Sequence, residues 1–247
     1  ALYLANLPKY KDNLFFIILD EMNLSRPEHY FADFLSLLEQ KADERFVTVN
    51  APDEVLPAEI TNGKMFVPDN VRFIGTAIHY ETTLEFAPKT YDRFNLREMP
   101  KNQERNISPT DETYNVSYSW LKTQFANAKN THKSYYEKFK KFINSDEVKM
   151  LLMDKGIGVG NRFEDQAERF ISAFIETGDQ NKKDESLAKA ADHLITTRLF
   201  RTLRNRYDLD KHNLQSFKSD FDSLFKLTFQ VEPTKADEML NTEIEKK

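Results

Sequence analysis

Leu14-Phe15-Phe16-Ile17-Ile18-Leu19-Asp20-Glu21-Met22-Asn23 decides how the chain is read. Six apolar residues run without a break into two adjacent acids and a polar turn. A continuous apolar run of this length, rich in β-branched and aromatic residues, reads as a strand buried on both faces, as in a parallel sheet. Asp20 and Glu21 then stand at its C-terminal end, where open α/β sheets bind ligands. Two adjacent carboxylates are costly to bury unless a cation or a water-activating role offsets them. Another reading is that both acids cap the helix that follows, since acids are favourable at a helix N-terminus.

Bulk properties narrow the classes. The 247 residues carry a net charge of −5, so no global basic field announces nucleic acid. There is no cysteine, which excludes disulfides and thiolate metal sites and fits a cytoplasmic protein. No apolar run approaches a membrane span. Glycine is scarce, with six residues, and no G-x-x-x-x-G-K-[ST] phosphate loop occurs. Gly156-Ile157-Gly158-Val159-Gly160 leads into Asn-Arg and reads as a turn.

Beyond the first strand, apolar residues from Pro27 to Gln40 recur at helical spacing, with Pro27 in the first turn and Ser25 a candidate cap. Phe46–Val49 and Lys64–Pro68 read as short strands or a hairpin, and Val71–Ala77 as a second core strand. Polar residues at 101–115 read as a linker. Helices are expected around Trp120–Phe125, Tyr135–Ile143, Phe163–Ile175, Leu187–Leu203 and Leu214–Phe225, their aromatic stripes facing a core. Arg198, Arg201, Arg204 and Arg206 suggest a basic face, solvated or in a subunit contact. The segment 232–247 reads as a frayed, charged tail.

Leu19-Asp20-Glu21-Met22-Asn23-Leu24-Ser25-Arg26, with Tyr30-Phe31-Ala32-Asp33-Phe34-Leu35-Ser36-Leu37-Leu38-Glu39, closely resembles the Walker B region of AAA+ NTPases. Within these it looks most like the branch holding MoxR proteins and McrB restriction motors. Pro68–Ala77 resembles the approach to sensor 1, and Asp92-Arg93-Phe94 the arginine-finger element. The resemblance implies a partial AAA+ α/β core over 1–100, lacking the P-loop third, then the 101–115 linker and an all-helical lid over 116–231. It implies Asp20 on Mg²⁺, Glu21 orienting the attacking water, Arg93 acting in trans, and Asn23 and Arg162 near ATP or GTP. Arg162 could equally be a surface residue.

The implied whole protein is a motor that assembles as a homo-oligomeric ring, a hexamer, and drives DNA translocation. It would activate a McrC-like nuclease subunit in antiphage restriction, with DNA reached through other domains. A MoxR-like protein-remodelling ATPase is the neighbouring reading. One departure stands out: Ile78 sits where the family places a sensor Asn, while Glu81-Thr82-Thr83 keeps the register. Isoleucine neither donates nor accepts a hydrogen bond. A hydrolysis-deficient assembly module is therefore a further reading, and the 247 residues alone are expected to show no turnover.

Overall fold

The computed structural model describes residues 1–50, 57, 60, 62–78, 86, 90, 93–97, 99 and 115–247. The fold is mixed α/β, with a small parallel sheet and a helical C-terminal region. It divides into two compact units, Ala1–Lys122 and Thr123–Lys247.

The first unit opens with α1 (Leu2–Asn6), ended before Pro8, and a turn whose contacts are gathered by Asn70. The buried Asn70 amide donates toward the carbonyls of Tyr10, Lys11 and Asn13, and Phe15 N donates to Asn70 O at 2.9 Å. This aligns the starts of β1 (Phe15–Leu19) and its eventual partner. Next come α2 (Pro27–Tyr30) and α3 (Ala32–Leu37), then an antiparallel hairpin of β2 (Phe46–Thr48) and β3 (Lys64–Phe66). Last comes β4 (Val71–Gly75), parallel to β1 in the register Phe15↔Val71 to Leu19↔Gly75.

One face of the parallel pair is packed. Phe73 of β4 meets Phe31 and Phe34, with ring centroids 5.3 and 5.2 Å away, so the apolar stripe of α3 lies on this face. The other face is open, with Phe16 56%, Ile18 64% and Ile74 45% exposed. The expected burial of β1 on both faces is thus corrected. The strand alternates, because only one layer covers the pair among the described residues.

Two further expectations change. The helix from Pro27 is interrupted at Phe31, whose backbone leaves helical geometry while its ring enters the core. Ser25 does not cap it: Arg26 holds the cap position, without a side-chain bond, and Pro27 supplies the preset first turn.

The second unit is helical. It contains the end of α4 (Tyr118–Thr131), then α5 (Lys133–Ile143), α6 (Asp146–Asp154), α7 (Asn161–Thr177), α8 (Lys183–Leu194), α9 (Lys211–Phe229) and α10 (Thr234–Glu245). Its core runs from Tyr136 to Ile244 and is rich in phenylalanine; Phe142 lies edge-on to Phe225 and Phe229.

Here too the structure departs from the sequence pattern. The tail expected to fray forms α10, because Ala236, Met239, Leu240 and Ile244 bury one side of it. The core role expected of Trp120 and Phe125 fails, since they are 53% and 50% exposed and α4 buries only Ala128. The arginine run is not one helical face either. After α8 the chain passes through a π-helical turn (Ile195–Leu199) and a 3-10 turn (Phe200–Leu203). Arg198 there donates to Gln166, and Arg206 donates to Lys155 O at 2.6 Å and pairs with Asp208.

Gly156 behaves as the turn expected of it. At φ +68° it closes α6, with Gly156 N donating to Met153 O and Ile157 N to Leu152 O, both at 2.9 Å. That is the paired capping of a Schellman motif, sealed by the buried Ile157.

Candidate functional site

The carboxylate pair is built by the ends of the two parallel strands. As β1 finishes, Thr76 N donates to Leu19 O at 3.0 Å, continuing the ladder one residue past β4. Glu21 then takes a left-handed backbone, φ +49°, uncommon for a residue that is not Gly, Asn or Asp. Two successive amides of this turn point at one residue. Glu21 N donates to Thr76 Oγ1 and Met22 N to Thr76 O, both at 2.8 Å. The Thr76 hydroxyl in turn donates to Asp20 Oδ1.

The direction of that last bond follows from chemistry. The hydroxyl already accepts the Glu21 N–H, and an ionised carboxylate can only accept. The proton of Thr76 therefore points at Asp20, fixing one carboxylate oxygen. Asp20 and Glu21 themselves are both exposed.

Met22 anchors the turn from below. It is buried, its carbonyl accepts from Tyr30 OH at 2.9 Å, and its side chain fills the space beside Gly75. A Cβ at Gly75 would lie 2.1 Å from Met22 Sδ, so any larger residue there must displace the thioether.

Asn23, expected near nucleotide, is buried and engaged with the backbone of Ile78. Its Nδ2 donates to Ile78 O at 2.7 Å and its Oδ1 accepts from Ile78 N at 3.3 Å. The amide clips the segment after β4 onto the turn after β1. Ile78, 55 residues away in sequence, thus enters the site through its main chain, with its apolar side chain exposed.

The alternative that Asp20 and Glu21 cap a helix does not hold. The next helix begins at Pro27, and the acid in its first turn is Glu28.

The other expected residues lie apart from this cluster. Arg93 Nε pairs with Glu39 Oε1 at 2.7 Å, both half-buried. Asp92, next to it in the arginine-finger element, lies outside the described residues, as do Glu81-Thr82-Thr83 and most of the 101–115 linker. Arg162 is the second residue of α7, in the second unit, just after the capping Gly160.

The free oxygen of the exposed Asp20 carboxylate, with Glu21 next to it in sequence, is a hard donor. That suits Mg²⁺, which takes one or two carboxylates and completes its shell with water and phosphate oxygens. No cluster of three or more His, Cys, Asp or Glu side chains fit to hold a metal occurs among the described residues. Nor is any helix among them long and apolar enough to cross a membrane.

Comparison with protein-family models, with curated proteins and with solved structures finds no match. Function must therefore be argued from the Asp20–Glu21–Thr76 cluster and the sequence around it. Thr76 is the residue that sequence reasoning missed.

Proposed function

We propose that this chain carries the Walker B portion of an AAA+-type NTP hydrolase of the McrB/MoxR-like branch, followed by a helical lid. The observation that carries the reading is the adjacent, exposed carboxylate pair at the C-terminal ends of two parallel strands, held in a left-handed turn. Asp20 offers its carboxylate to Mg²⁺, and Glu21 accepts a hydrogen bond from the attacking water and orients it. A bound Mg²⁺–nucleotide would supply the phosphoryl group and neutralise its developing charge. A phosphate loop is required as well, and the 247 residues do not contain one. The open sheet face of Phe16, Ile18 and Ile74 supports a larger core, because parallel sheets are covered on both sides. ATP is the default nucleotide, and a ring of subunits acting on DNA with a nuclease partner is the proposed setting.

A second reading, an assembly module without turnover, is favoured by two observations. Ile78 brings no polar side chain to the site, and Arg93 is held by Glu39 of its own chain. One experiment separates the two. The coding sequence upstream of Ala1 is read, and ATP and GTP hydrolysis by the complete protein is compared with its Glu21→Gln and Ile78→Asn variants. The motor reading expects a G-x-x-x-x-G-K-[ST] motif and a fall in turnover of about 100-fold or more in Glu21→Gln with nucleotide binding kept. Absence of the motif, or unchanged turnover, overturns it. Turnover that appears only in Ile78→Asn assigns the natural protein to the assembly class.

A further inference from the structure

We infer that Thr76 is a positioning residue for the metal-binding carboxylate: its hydroxyl fixes Asp20 so that one oxygen is held and the other is presented to a divalent cation. This inference rests on the reading of Asp20 as the metal ligand. It goes beyond that reading by assigning a role to a residue on the neighbouring strand.

Three contacts converge on Thr76. Its carbonyl accepts Met22 N, its hydroxyl accepts Glu21 N, and the same hydroxyl donates to Asp20 Oδ1. The first two hold the left-handed turn at Glu21, a conformation that needs external support. The third is charge-assisted, the stronger kind of hydrogen bond. With Glu21 N on one acceptor position and the carboxylate in reach, the hydroxyl proton is directed to Asp20 Oδ1. The Asp20 rotamer is thus selected before any cation arrives. Partners of this kind, one bond removed from a metal, change its affinity about 10- to 100-fold when removed.

The test uses the 247-residue chain and Mn²⁺ alone as the probe, read by the electron paramagnetic resonance signal of the free aquo ion. The chain is titrated beside Thr76→Val, Thr76→Ala, Thr76→Ser and Asp20→Asn. Position 76 is exposed, so valine and alanine can be accommodated, and circular dichroism confirms which variants are folded. Expected is weak Mn²⁺ binding that Asp20→Asn abolishes, that Val and Ala each weaken about tenfold, and that Ser restores to near the natural level. Rescue by serine separates a positioning hydroxyl from a packing role, since serine keeps the hydroxyl and loses the methyl. A folded Val or Ala variant that binds Mn²⁺ as tightly as the natural chain overturns the role of Thr76 alone. Absence of any Asp20-dependent binding overturns the metal assignment of Asp20, and the role of Thr76 with it.

Discussion

At the scale of single residues, the Met22 side chain fills the space beside Gly75 beneath the carboxylate turn. Gly75→Ala would place a methyl group where Met22 Sδ already lies, and Met22 is buried and tethered through its carbonyl to Tyr30. Overpacking of this sort costs about 1–3 kcal/mol. The expected outcome is a lower urea midpoint for Gly75→Ala. The Gly75→Ala/Met22→Ala double variant should be more stable than the two single losses sum to, because the sulfur is gone. Strict additivity would show that the two residues do not compete for one space. The two acids of this turn were legible in the sequence, being adjacent and following directly on an apolar run. The bonds that Thr76 and Asn23 make to Asp20 and Ile78 were not, because they span 56 and 55 residues and no local pattern encodes them.

At the scale of elements, helices with a long apolar stripe were legible and those started by a distant cap were not. α7 declares itself through Phe163, Ala167, Ile171 and Ile175, all buried. α10 was missed because its start is secured elsewhere. The buried Asp192 of α8 accepts from Lys235 N at 2.7 Å and Ala236 N at 2.9 Å, across more than 40 residues.

A second link joins α9 and α10, where Lys218 lies between Asp222 (2.7 Å) and Asp237 (2.9 Å). Burial raises the Asp222 carboxyl above its usual value, with Asp237 adding like-charge repulsion and Lys218 opposing both. An acid raised on folding binds its proton more tightly in the native state. Its contribution is therefore favourable below the unfolded value of 3.8 and is lost as pH rises through the folded value. Asp222→Asn removes that loss, and its amide can donate to Asp237 while its oxygen accepts from Lys218. The variant should gain stability relative to the natural chain as pH rises from about 4 to 7. Urea midpoints across that range check this, and a variant weaker at pH 7 than at pH 4, relative to the natural chain, refutes it.

At the scale of the whole molecule, the two units differ sharply in what holds them. The second unit buries a continuous apolar core that includes Phe139, Phe200, Phe217, Phe221 and Phe225. The largest buried cluster described in the first is Leu37, Val47 and Val67, supported by partly buried neighbours such as Phe34 and Phe73. Its parallel strands also leave Phe16, Ile18 and Ile74 in water, forgoing much of what those side chains could contribute at about 25 cal/mol per Å² buried. The division into α/β and helical parts was legible from where strand-like runs give way to helical spacing. The inequality was not, because β1 read as a strand covered twice. Local stability follows buried contact, so the two units are expected to open separately. Hydrogen exchange of the whole chain, followed by mass spectrometry in rising urea, should show β1 and β4 exchanging through a low-energy opening. In the same samples α7 and α9 should stay protected until the main transition. Equal protection of β1, β4, α7 and α9 at every urea concentration would mean that the chain unfolds as one body, and that the small first core is held by more than its own burial.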